Sequence, residues 1–482
     1  MTEKGIVELH NNLLENKITS DELVRESIKK SHEVQDKCNA FVTIIDDAKG
    51  GNVNDDLLSG IPFGVKDNFS TKGVLSTGSS NTLKDYVPFF TATAIENLFN
   101  HGAVMVNKTA MDEFGMGGNG TTAHTGVQRN PWDLTRMTAG SSSGSAAAVA
   151  AGVYPFATGS DSGDSIRKPA AYCGIVGYKP TYGMISRYGL FAYASSLDTV
   201  GVLTRNVTDA AIVVDAMKGI DPKDMTSWDS SNIHLYNDLN KDVKGKKLFY
   251  IKELIDKNNY HNLPKETEAH LDNFIATLEK FKSLGVEIDA VSIDQNLLNA
   301  ILSTYMVIAC AEATSNMSNL TGFIFGPRGE GSNYQELMTD HRTKGFSSLI
   351  KRRFIIGSYV LQAENQERYF KNAQRARRMI VDAIKEQFKK YDGLIMPVGI
   401  GPAKKLENDQ VVDDELTPLD EQLQIGNFGG FPSITIPNGF INNLPVGINI
   451  TGNNYDDQNV LNMAYALESL MDYKDQIAKE VK

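Results

Sequence analysis

Two serine- and glycine-rich loops, 140–145 and 159–165, sit close together in the stretch TAGSSSGSAAAVAAGVYPFATGSDSGDSIRKPA (138–170). Between them lie an alanine-rich segment and a short apolar run, 153–157. Glycine lets a backbone turn tightly and approach another group closely. With one helix and one strand between them, the two loops can return to the same rim of a sheet, and that rim is the natural place for a reaction site. Taken alone, each loop reads more readily as a structural turn at a helix end.

The rest of the chain alternates strand and helix around this stretch, which predicts an α/β protein with a large, parallel or mixed sheet core covered by helices on both faces. Residues 1–40 read as two amphipathic helices. Ile6, Leu9 and Leu13 share one face, and Thr19-Ser20-Asp21-Glu22 forms a capping box for the second helix. This arm suits packing or subunit contact. A strand over 61–65 leads into Lys66, a helix runs from Thr93 to near Gly102, and 103–106 is a buried-type strand. Residues 219–245 are a polar surface excursion, and 247–251 resumes the alternation. A helix follows with Leu271, Phe274, Ile275, Leu278 and Phe281 at helical spacing. Long helical stretches cover 295–316 and 347–390, with a glycine-rich loop at 326–331 between them. Strands at 393–397, 433–437 and 446–451 and a closing helix over 457–473 complete the chain. The expected organisation is one domain over 1–482: a helical arm (1–45), a core (46–215), and a helical insertion with the remaining substrate-side segments (216–482).

Composition narrows the function classes. The chain of 482 residues is 41% hydrophobic and 22% charged, with a net charge of −11. That is ordinary for a globular protein and gives no basic footprint for nucleic acid. Three scattered cysteines (Cys38, Cys173, Cys310) with no CxxC argue against a disulfide framework or a zinc site, and fit a reducing cytoplasm. The first residues lack the apolar core of a signal peptide, and no apolar run approaches the length of a membrane span.

Two short motifs mislead. Gly140-Ser141-Ser142-Ser143-Gly144 matches G-x-S-x-G, but the approach 132–138 does not read as a buried strand, and none of His234, His261, His270 or His341 stands out as a partner. Ser165-Ile166-Arg167-Lys168 matches S-x-x-K without the S-D-N or K-T-G that accompany it in penicillin-binding enzymes. A serine nucleophile still needs a base. Lys66 follows the apolar 61–65, so it is either a desolvated lysine able to act as one or a solvated charge at a strand end.

Together, GVKDN (64–68), GSSSGSAAAVAAG (140–152), GSDSGDSIRKPAAYCGIVGYKPTYG (159–183) and SRYGLFAYASSLD (186–198) resemble the amidase signature family, with the spacings that family shows. The resemblance implies the amidase signature fold and a Ser–cisSer–Lys triad. Ser165 is then the nucleophile, Ser141 the bridging serine in a cis peptide and Lys66 the base, with backbone N–H groups of Ser162, Gly163 and Asp164 as the oxyanion hole. KTAMDEFGMG (108–117), AEATSN (311–316), RRFIIGSYVL (352–361) and NFGGFPSITIP (427–437) are similar to one branch of that family. Its members act as the glutaminase subunit of a three-subunit, tRNA-dependent amidotransferase. That likeness implies glutamine as substrate, held by Tyr305, Arg353 (or its neighbour Arg352) and Asp420. It also implies B and C partner subunits, tRNA bound mainly by B, and no cofactor in this chain, with ATP and Mg²⁺ on the B subunit. Asp164 and Lys168 depart from the family, which has glycine and glutamine there. Ser143 replaces a loop glycine, and 319–326 lacks the charged residues of RYDGVRYG. The alternatives are a stand-alone amidase and a catalytically silent assembly subunit.

Overall fold

The computed structural model describes residues 1–260, 263–412 and 417–478; His261 lies outside the described residues. The strands are β1 Phe41–Ile44, β2 Pro62–Lys66, β3 Val104–Thr109, β4 Arg129–Asn130, β5 Asp133–Met137, β6 Phe156–Asp161, β7 Val176–Lys179, β8 Thr199–Thr204, β9 Lys247–Ile251, β10 Glu287–Val291, β11 Gly393–Pro397, β12 Leu406–Glu407, β13 Gln410–Val411, β14 Ser433–Ile441 and β15 Leu444–Thr451. Eleven of them form one mixed sheet in the order β1-β3-β2-β6-β8-β7-β14-β15-β11-β9-β10, and β4/β5 and β12/β13 are small hairpins. β2 is parallel to both β3 and β6, and β9 is parallel to β10 and β11. The middle of the sheet is antiparallel. Lys66 and Asp161 therefore end neighbouring parallel strands, at the carboxyl edge where open α/β sheets bind ligands.

Several local outcomes differ from the periodicity. The apolar run 153–157 is not itself the strand: residues 151–155 make the turn after the helix Ser143–Ala150, and the strand runs on through Thr158, Gly159, Ser160 and Asp161. These polar residues pair with Val202, Gly201, Val200 and Thr199 of β8, because the ladder is made by backbone groups and is indifferent to side-chain polarity. A helix at Tyr334–Gly345, N-capped by Asn333, has only His341 and Gly345 buried, so it left no apolar period to read. The stretch 347–390 divides into Ser348–Leu361, Ala363–Gln366, a π turn at Glu367–Lys371 and Asn372–Gln387.

The amino-terminal arm forms the two expected helices, Ile6–Leu14 and Ser20–Cys38, with the Thr19–Glu22 capping box in place. Its apolar face packs into this chain's own core through Ile6, Leu9 and Leu13. One helical stretch, Gln295–Asn316, is long and apolar enough to match a membrane span by length and composition, against the sequence expectation. It is two helices, Gln295–Asn299 and Ile301–Asn316, and Ile301, Tyr305 and Ile308 bury it against the core, as core helices of this composition do. All three cysteines are free and buried.

Candidate active site

Lys66 is the last residue of β2 and is fully buried. Its Nζ lies 2.9 Å from Ser141 Oγ, 2.8 Å from Ser142 Oγ, 2.9 Å from Ser160 Oγ and 3.1 Å from Ser160 O. Burial brings its ammonium down to about 7, against the upward pull of the Asp161, Asp112, Asp198 and Asp164 carboxylates. The solvated reading of Lys66 is thus excluded by its surroundings.

Ser141 is fixed by the backbone on both sides. The Gly140–Ser141 peptide is cis, Gly140 N–H donates to Gly118 O at 2.8 Å, and Ser141 O accepts from Asp112 N–H at 3.2 Å. A Cβ on Gly140 would stand 1.9 Å from Asp112 Oδ2, so only glycine fits. That carboxylate in turn accepts from the N–H groups of Gly120, Thr121 and Thr122. Gly144 serves the same end one turn later: a Cβ there would lie 2.1 Å from Ala40 O. Ser142 N–H donates to Ser165 O at 3.1 Å and clips the two loops together on one rim, as their spacing predicts.

The second loop is held by a buried buckle. Arg167 donates from Nε and Nη2 to the two oxygens of Asp161, each at 3.0 Å, and also to Gly163 O, Leu423 O and Asn427 Oδ1. Burial alone would raise the Asp161 carboxyl, but the guanidinium outweighs it and keeps the group below its ordinary value. Asn427 returns bonds to Asp161 O and Leu197 O. Ser162 Oγ donates to Asp198 Oδ1 at 2.5 Å. The buckle holds Ser165, 3% exposed, next in the chain to Asp164, which lines a cavity of about 540 Å³.

The cavity wall includes Asp164, Lys168, Tyr305, Arg352, Arg353, Glu421 and Gln424. Tyr305 lies over Gly163: a Cβ there would be 3.1 Å from its ring. Arg353 hydrogen-bonds the Tyr193 phenol, which is also hydrogen-bonded to Tyr305, so the three form one connected cluster. Arg352 shares the wall, and both arginines stand where a carboxylate can reach them. Asp420 is buried one residue from the wall residue Glu421. Its Oδ2 accepts from Thr417 N–H and Oγ1 as the N3 partner of a capping box for the short helix Pro418–Glu421.

Ser162, Gly163, Asp164, Ser165, Lys66 and Ser141 thus gather at one edge, with Tyr305 and Arg353 above them. Sequence reasoning missed Ser142 and Ser160 as partners of Lys66, and missed Asp112, Arg167, Tyr193, Asp198 and Asn427. Tyr193, Asp198 and Asn427 fall inside the segments 186–198 and 427–437, where a polar residue in an apolar or glycine-rich run was the available signal. The decoys fail on geometry. Ser142 meets Lys66, while His270 is buried against Val398 O and held down to about 4, and His341 bonds Pro327 O. β5 belongs to a half-exposed hairpin and not to a strand-to-helix elbow.

A buried lysine bound to a serine in a cis peptide, with a second serine loop clipped against it beside an open cavity, defines a serine hydrolase of amides. The Amidase family model matches residues 22–461, and the chain belongs to that family. It is 38% identical over 486 residues to the A subunit of glutamyl-tRNA(Gln) amidotransferase from Geobacillus sp. (strain WCH70), covering 98% of each chain. It is also 38% identical to the same subunit of Oenococcus oeni, covering 96% of each. The crystal structure of that subunit from Thermotoga maritima superposes with a TM-score of 0.81 at 34% identity, over 97% of this chain and 95% of that one.

Proposed function

We propose that this chain is the glutamine-hydrolysing subunit of a glutamyl-tRNA(Gln) amidotransferase acting in the cytoplasm. The observation that carries the reading is the joining of Lys66, Ser141 and the Ser165 loop beneath a cavity walled by Tyr305 and Arg353. In this reading the Ser165 hydroxyl oxygen attacks the side-chain amide carbon of glutamine. Its proton passes through the Ser141 hydroxyl to the neutral Lys66 amine and then to the departing nitrogen, so ammonia leaves and a glutamyl ester remains. Backbone N–H groups of the Ser162–Ser165 turn face the oxyanion, where one donor is typically worth about 2.7–4 kcal/mol. Water, deprotonated by the same relay, then releases glutamate.

Arg353 binds the α-carboxylate, Tyr305 closes over the substrate, and Asp420 offers its carboxylate to the α-ammonium. The ammonia passes to a B subunit, which with C completes the complex, binds most of the tRNA, and uses ATP and Mg²⁺ to activate the glutamyl group. A silent assembly role would follow if the Asp164 carboxylate opposed the oxyanion. Lys168 Nζ, 3.5 Å from Asp164 Oδ2, offsets that charge. The test is ammonia release from glutamine by the complex carrying wild-type chain or Ser165→Ala. The variant is expected to lose roughly 10⁴–10⁶-fold in kcat. Equal rates from the two would eliminate the glutaminase reading, and hydrolysis of other small amides with glutamine untouched would leave a stand-alone amidase.

A further inference from the structure

Tyr193 is 2% exposed and joins the nucleophile turn to the arginine of the cavity wall. Its N–H donates to Asp198 Oδ2 at 2.9 Å, and the other oxygen of that carboxylate accepts from Ser162 Oγ in the turn. Its carbonyl accepts from Asn316 Nδ2 at 3.1 Å, at the end of the helix Ile301–Asn316 that carries Tyr305. The phenol oxygen accepts from Arg353 Nη1, and the guanidinium carbon stands 5.7 Å from the centre of the ring.

A guanidinium can meet a carboxylate along either of two forked edges, Nη1–Nη2 or Nε–Nη2. Tyr193 takes Nη1 and so leaves the Nε–Nη2 edge, the one by which Arg167 grips both oxygens of Asp161. Arg353 Nε is buried and meets no acceptor among the described residues. A buried N–H without an acceptor is costly, and a carboxylate oxygen arriving on this edge removes that cost.

Resting on the glutaminase reading, we infer that Tyr193 is a positioning residue for glutamine binding. It holds the Arg353 guanidinium by Nη1, so that the Nε–Nη2 edge receives both oxygens of the α-carboxylate. Through Asp198 and Ser162 it also fixes that edge relative to the turn that carries Ser165. The arginine is oriented before substrate arrives, and little of its rotamer freedom remains to be lost on binding.

The experiment measures kcat and KM for glutamine, by ammonia release from the assembled complex. It uses the wild-type chain, Tyr193→Phe, Arg353→Met and the double variant Tyr193→Phe/Arg353→Met. Tyr193→Phe keeps the buried ring and deletes one oxygen, so the fold is retained. It should raise KM about tenfold, the effect of one hydrogen bond to a charged group, and leave kcat within about threefold of wild type. On the Arg353→Met background the same substitution should change kcat/KM by less than about twofold, because the group it positions is gone. A purely structural Tyr193 would lower kcat/KM by the same factor on both backgrounds. That equality overturns the inference, as does a Tyr193→Phe variant whose KM is unchanged or whose loss lies in kcat. If Arg353→Met releases no measurable ammonia, the split between KM and kcat in Tyr193→Phe decides alone. A wild-type complex that releases no ammonia from glutamine overturns the glutaminase reading, and the inference with it.

Discussion

At the scale of single residues, the reaction depends on an amine that is neutral at working pH. An exposed lysine would hold its proton until near 10.5, whereas burial brings Lys66 down to about 7. Deprotonation creates the base, so kcat/KM for ammonia release should rise about tenfold per pH unit below about 7 and level off above it. Lys66→Met should cost about 10²–10⁴-fold and abolish the rise. A pH profile of kcat/KM that is flat from acid to neutral would remove Lys66 from the role. The lysine itself was legible, because an apolar strand ending in Lys-Asp-Asn is unusual. Its burial was not, since the serines that surround it lie 75, 76 and 94 residues further along the chain.

Among elements, the nucleophile loop owes its shape to Arg167, whose guanidinium ties the end of β6, the turn at Gly163 and the helix Gln424–Gly429 into one unit. Removing one partner of a buried pair leaves the other charge uncompensated. Arg167→Met should therefore cost about 3–5 kcal/mol of stability, with the loss of ammonia release exceeding what unfolding explains. Chemical denaturation alongside kinetics on the folded fraction checks this, and a variant of wild-type stability would show that the buckle is dispensable. The loops and the helix between them were readable from glycine, serine and alanine alone. The full extent of β6 and the helix Tyr334–Gly345 were not, because the first is defined by its neighbour β8 and the second exposes nearly all its side chains.

For the whole molecule, the two ends of the chain are joined far from the reaction site. Arg205 donates to Thr2 O and Lys4 O, Ile6 N–H donates to Asp209 Oδ1, Val207 N–H donates to Glu468 Oε1, and Asn206 reaches Asp475. Burial and then Asp475 raise Asp209 to about 7, and burial raises Glu468 to about 8. The native chain therefore binds protons here that the unfolded chain has released. This contribution to stability is full below the ordinary carboxyl values and is lost as pH rises through about 7–8. Asp209→Asn keeps the acceptor for Ile6 and should raise Tm at pH 8.5 but not at pH 5. Equal Tm values for variant and wild type at pH 8.5 would show that Asp209 is not held protonated. The sequence by itself determined the alternation of strands and helices, the turns that glycine permits, and the residue types of the reaction, because these follow from local backbone preference and side-chain chemistry. Only the tertiary structure decided which serines meet Lys66, that its amine is desolvated, and that Lys168 pairs with Asp164. Charge state and hydrogen-bond partnership depend on what packs around a group, and for Lys66 that comes from loops 75 to 94 residues further along the chain.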